Sequence, residues 1–90
     1  MYRVLLFLPL HYANGDKLSL EKEVELPFPP YPGLFIEKSP NTDLNVQMDS
    51  VCWIQNENRF RAFCFPQRLV LNKAEAMEVA IQEGWRNRNL

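Results

Sequence analysis

Polar residue types that carry catalysis are sparse in this 90-residue chain, which has two cysteines, Cys52 and Cys64, and one histidine, His11. A cysteine nucleophile wants a histidine to take its proton. His11 sits beside the first predicted turn, with no evident reason to approach either thiol. The two cysteines read more simply as small buried hydrophobes. A disulfide between them is the second reading, against which direct cross-strand geometry is often strained. Glu21, Glu23 and Glu25 recur at a spacing of two, so on a strand their carboxylates share a face. Such a row can hold a cation or do acid–base work. Its ordinary use is a solvated face, where charge also deters edge-to-edge aggregation. No Gly-rich phosphate loop, CxxC, HExxH or GxSxG pattern occurs. The expectation is a non-enzymatic protein with no catalytic residue, no metal ligand and no cofactor.

Residues suited to binding are more plentiful. Arg59, Arg61 and Arg68 lie close in sequence to Trp53, Phe63 and Phe65. Guanidinium groups beside aromatic rings are the raw material of a single-stranded nucleic-acid platform. The plainer reading puts the rings in the core and the arginines at its rim. Pro27-Phe28-Pro29-Pro30-Tyr31-Pro32-Gly33 contains PxxP twice. Such segments dock on SH3 or WW surfaces, yet no basic residue flanks this one closely and PPxY is absent. A stiff connector packed by Phe28 and Tyr31 explains it as well. Near the end, Trp85 and Arg86 are types favoured at interface hot spots, and Trp85 also suits packing against a helix end. The candidate binding residues are therefore Phe28, Tyr31, Arg59, Arg61, Trp85 and Arg86.

These residues must be positioned by strands. Residues 2–11 read as strand one, with Val4, Leu6, Leu8 and Leu10 on one face and Leu5 and Phe7 on the other. Residues 17–26 read as strand two, with Leu18, Leu20, Val24 and Leu26 opposed to the glutamates. Asn14-Gly15 signals a hairpin between them. A two-residue loop would mix core and solvent faces. A three-residue loop, with Gly15 left-handed, pairs Leu10 with Leu18, Leu8 with Leu20 and Val4 with Val24, and it is the chosen register. Leu34–Lys38 reads as a short third strand and Ser39–Asp43 as a loop. Residues 45–55 and 59–66 read as a second hairpin, with Cys52 opposite Cys64 and Trp53 opposite Phe63. Asn72 and Glu75 form a capping-box pattern that opens a helix. Ala74, Met77, Ala80 and Ile81 share its apolar face, and Gly84 ends it with Trp85 folded back.

The sum is one α+β domain over residues 1–90: an antiparallel sheet of four to five strands in two hairpins, with a C-terminal helix packed on one face. One helix covers one face only, so the doubly apolar first strand needs a second cover. A sheet curled into a partial barrel, the aromatic Pro-rich connector and another copy of the chain are the three candidates. The net charge of −1 supplies no global field to attract nucleic acid or acidic lipid. No apolar run approaches the roughly 18 residues of a membrane span. The unpaired look of the cysteines and the lack of an export signal suggest the cytoplasm. The leading expectation is a small protein–protein interaction or regulatory module whose partner is another protein or itself, as a homodimer. A nucleic-acid-binding domain using the Arg/aromatic hairpin is the alternative.

Overall fold

Apolar side chains at every second residue of a pleated strand fall on one side of it. In the computed structural model Val4, Leu6, Leu8, Leu10 and Tyr12 lie side by side this way, at the centre of the buried core. The structure describes residues 1–12, 15–36, 46–69 and 73–88. Its elements are β1 (Tyr2–Tyr12), β2 (Lys17–Leu26), β3 (Phe35–Ile36), β4 (Val46–Ile54), β5 (Arg59–Cys64), β6 (Gln67–Leu69), α1 (Lys73–Gln82) and β7 (Arg86–Asn87).

The first hairpin adopts the register that the apolar pattern demands. Leu10 lies opposite Leu18, Leu8 opposite Leu20 and Val4 opposite Val24. Tyr12 N–H donates to the Asp16 carbonyl at 2.9 Å, and Gly15 N–H to the Tyr12 carbonyl at 3.0 Å. Gly15 has φ +92°, where a residue with a Cβ would be strained. Ala13 and Asn14 lie outside the described residues.

The rest of the sheet departs from the expected antiparallel α+β plan. Its order is β3-β4-β5-β1-β2-β7, with β6 also paired to β1. β5 and β6 both run parallel to β1. The second hairpin docks on β1 through its second strand, and that choice makes the pairing parallel. Seven strands among the described residues thus form one mixed sheet, curled into a half-barrel, in place of four to five antiparallel strands beneath a helix. Pro66, which has no N–H to give a ladder, separates β5 from β6. β6 and β7 are too short for any periodicity to reveal them.

The second hairpin also overturns its expected register. Its turn is residues 55–58, with Asn58 at φ 54°, and Ile54 pairs with Arg59. Cys52 therefore faces Arg61, Trp53 faces Phe60, and Met48 faces Cys64 across an irregularity between Met48 and Ser50. Moving the pairing by an odd number of residues exchanges the faces. Cys52 is exposed, Cys64 is buried, and both are free thiols.

Two connections cross the core side of the curl. β2 and β3 are separated by β1, β5 and β4, so residues 27–34 must traverse the sheet. Pro30 and Leu34 turn inward, and Leu34 joins the core. Gly33 N–H reaches the Met48 carbonyl at 2.7 Å, and Met48 N–H the Leu34 carbonyl at 2.9 Å. β6 and β7 both run parallel to β1, so α1 is a crossover between parallel strands. Among its described side chains, Met77 and Ala80 touch the core, while Ile81 is 60% exposed. The helix clips one end of the curl and is not the second layer that its apolar face suggested.

The helix ends as its sequence indicates. Gly84 takes φ +91°, Gly84 N–H donates to the Ile81 carbonyl at 3.1 Å, and Trp85 N–H to the Ala80 carbonyl at 2.9 Å. This pair of bonds is a Schellman closure. It drives Trp85 into the core, under the Lys22 ammonium 5.8 Å from the ring centroid. Asn72, Glu37, Lys38 and the Ser39–Asp43 loop lie outside the described residues.

Candidate functional site: the outer face of the sheet

The odd-numbered residues of β1 point away from the core, and two of them, Leu5 and Phe7, are apolar yet buried. No layer of secondary structure packs there among the described residues. Long charged side chains provide the cover. By register Leu5 lies between Glu23 of β2 and Arg61 of β5, and Phe7 lies between Glu21 and Phe63. The Phe7 and Phe63 rings stack at 5.2 Å with 22° between their planes. The Arg88 guanidinium sits 4.2 Å from the Phe7 centroid, and that of Arg61 sits 5.5 Å from it. A guanidinium is weakly hydrated and planar, so it lies on a ring with little loss. Its aliphatic stem screens the apolar surface below.

Beside this cover the glutamate row ties neighbouring strands together. Glu23 accepts from Arg3 Nε through Oε1 at 2.9 Å and from Arg59 Nη1 through Oε2 at 2.9 Å. It thereby ties β2 to β1 and β5. Arg59 also donates to Glu57 at 2.8 Å, and Arg86 donates to Glu21 at 2.6 Å, tying β7 to β2. The hydrogen bond from Arg3, helped by the Arg59 charge, holds the Glu23 carboxyl below its ordinary pKa. The bond to Glu57 and the two carboxylates raise that of Arg59. Arg61 and Arg88 have no carboxylate partner among the described residues, and Arg61 Nε is buried without an acceptor.

Toward β3 the charge gives way to rings. Phe65 N–H bonds the Gln47 carbonyl at 2.9 Å, and Phe35 pairs with Gln47 from the other side. Phe35, Gln47 and Phe65 therefore form one row, Phe65 just past the end of β5, and Phe63 lies two residues earlier on β5. Phe63, Phe65 and Phe35 are 38%, 45% and 52% exposed. The outer face thus has a charged part over β1, β2, β7 and the start of β5 and an aromatic part where Phe63, Phe65 and Phe35 lie, with Arg61 and Arg88 at the boundary.

Of the residues singled out from sequence, Arg59, Arg61 and Arg86 come together on this face. Phe28 and Tyr31 do not; they are exposed on the connector that crosses the core side. Trp85 is buried in the core. Phe7, Phe35 and Arg88 are the additions. Phe7 carried a signal, because the hairpin register already turned it outward. Arg88 became legible only through the short β7 ladder, which places it on the same face as Arg86.

Cys52 is level with Leu5, six residues along the sheet from His11, or about 20 Å at 3.3–3.4 Å per residue. Burial pushes the Cys64 thiol up to about 12. Among the described residues no group of three or more His, Cys, Asp or Glu is placed to hold a metal ion, and no helix is long and apolar enough to cross a membrane. No family model, no curated protein and no solved structure matches the chain.

Proposed function

We propose that this protein is a non-enzymatic, cytoplasmic interaction module that binds a protein partner on the aromatic part of its outer face. The observation that carries the reading is the adjacency of Phe63, Phe65 and Phe35, each more than a third exposed on an open sheet face. Rings in water beside arginines are the composition of an interface centre. Arg61 and Arg88 supply cations for partner carboxylates at the edge of that patch. Affinity capture from native lysate with wild type and a Phe63→Ser/Phe65→Ser variant tests it, with circular dichroism as the folding control. The wild type retains specific proteins and the folded variant loses them. Equal capture by both overturns the assignment.

A second reading is favoured by one observation: two guanidiniums with no carboxylate partner among the described residues lie over the Phe7 ring, which stacks on the exposed Phe63, an arrangement that suits single-stranded nucleic acid. It ranks below the first because Glu21 and Glu23 share the face and engage Arg3, Arg59 and Arg86. A gel shift with a single-stranded oligonucleotide at two salt concentrations decides it. Binding that weakens steeply with salt supports it, and no shift at low salt ends it.

A further inference from the structure

We infer that the free edge of β4, Ser50–Ile54, pairs antiparallel with the same edge of a second copy, with Cys52 on the two-fold axis. The inference is independent of the outer-face reading and starts from the two ends of the sheet. On β4, β3 pairs with Val46 and Gln47, and the 33–34 segment bonds Met48. Beyond that point no described strand flanks β4, so among the described residues nothing pairs with one side of the backbone over these five. On the other end, β7 covers Leu20 and Glu21, with Arg88 N–H bonding the Ser19 carbonyl at 2.9 Å, and leaves 22–26 uncovered.

The two uncovered stretches differ in chemistry. Lys22-Glu23-Val24-Glu25-Leu26 carries three charges in five residues, the usual protection against sheet-to-sheet pairing. Ser50-Val51-Cys52-Trp53-Ile54 carries none, and neither do Gln55 and Asn56. An edge without charge or proline, and with no covering element among the described residues, is a template for another strand. A second copy is the occupant that its composition fits. An isologous pairing places each residue opposite one of the same short segment, and here that creates no like-charge contact.

The register follows from the free length. Centring the axis on Cys52 uses all five of these residues; moving it toward Asp49 runs into the segment bonded to Met48, and moving it toward Gln55 runs into the turn. Val51 then lies opposite Trp53 of the partner copy, twice, on the inner face. An aromatic opposite a β-branched residue is a favourable cross-strand pair. Trp53 is 49% exposed and already meets Phe60 edge-on at 4.9 Å, with Tyr2 6.2 Å beyond. The pairing extends this aromatic row across the axis. The two Cys52 residues face each other on the outer side, with Cα atoms about 4.5–5.5 Å apart, inside the range that a disulfide spans.

Light scattering over a concentration series reads the mass, and diamide reads the register. Diamide takes two electrons and two protons from the two Cys52 thiols, becoming the hydrazine as the S–S bond forms. The expected result is a species of twice the 10.6 kDa chain mass that diamide locks covalently. Cys52→Ser keeps that mass and loses the covalent band. Cys52→Lys weakens association at least tenfold while remaining folded by circular dichroism, and mixing it with Cys52→Glu restores the dimer as a heterodimer. A wild type that stays monomeric at several hundred micromolar overturns the proposal, as does a Cys52→Lys dimer as tight as wild type.

Discussion

At the scale of single residues, the outer face shows how a sheet can dry an apolar pair without a second layer. Leu5 and Phe7 are buried among long charged side chains: the Arg61 and Arg88 guanidiniums lie by the Phe7 ring, and beside them Glu23 and Glu21 bind Arg3, Arg59 and Arg86. Glu23 receives two guanidiniums, and its carboxyl titrates below the ordinary 4.5. A depressed folded-state pKa adds stability above the unfolded value, and that stability is lost as pH falls through the folded value. The group is partly exposed, so solvent screening limits the effect to roughly 1 kcal/mol. Glu23→Gln should therefore lower the Tm by about 4–8 °C at pH 7, and the gap to wild type should narrow below pH 4. A thermal melt series at pH 7, 5 and 3 checks it; a gap independent of pH would mean that Glu23 acts by packing alone. The thiols give a second prediction. Cys52 is exposed, and burial pushes Cys64 up to about 12. Ellman's reagent at pH 8 should titrate one thiol per chain quickly and the second only in denaturant. Two fast thiols would contradict the inward placement of Cys64.

Elements were legible where a pattern repeated and opaque where a choice of neighbour decided. The β1–β2 register could be read because Leu10/Leu18, Leu8/Leu20 and Val4/Val24 agree only with the three-residue loop. The helix end could be read because Gly84 and Trp85 supply the two parts of a Schellman closure. The second hairpin could not be read: aromatic residues on both faces of 51–65 leave face assignment open, and a four-residue turn ending in left-handed Asn58 decided it. Nothing in the local pattern of β5 says that its neighbour is β1 or that the two run parallel, so the mixed sheet was hidden. The same holds for the candidate site, whose arginines were visible while the ring beneath them, Phe7, was assigned only to a second apolar face. The helix end also carries a prediction. A Cβ on Gly84 would meet Lys22 Cε at an ordinary 3.5 Å, so there is room, but φ +91° is strained for alanine. Gly84→Ala should cost about 1 kcal/mol through the backbone alone. A urea melt with an unchanged m-value and a lower midpoint is the expected outcome, and an unchanged midpoint would show that the C-terminal turn forms without the left-handed residue.

For the molecule as a whole, the curl holds together because both long connections cross the inner face and anchor there, the connector through Pro30 and Leu34 and the C-terminal segment through Ala80 and Trp85. Trp85 also links the two faces. Buried against the core, it fixes the start of β7, whose Arg86 meets Glu21 outside and whose next residues carry Arg88 onto Phe7. β7 is two residues long and cannot hold its place by ladder bonds alone. Removing the indole should act in two steps. Trp85→Ala should cost about 3–5 kcal/mol, a large share of the 5–15 kcal/mol typical of a domain. Before global unfolding it should free the C-terminal segment, so that the Arg88 amide, which donates to Ser19, exchanges quickly while amides of β1 stay protected. Trp85→Phe should lose less stability and keep the Arg88 amide protected, because a ring still fills the site. Hydrogen exchange read amide by amide separates these outcomes. If Arg88 stays protected in Trp85→Ala, the C-terminal segment is held by the outer-face arginines rather than by the buried ring, and the coupling between the two faces runs the other way.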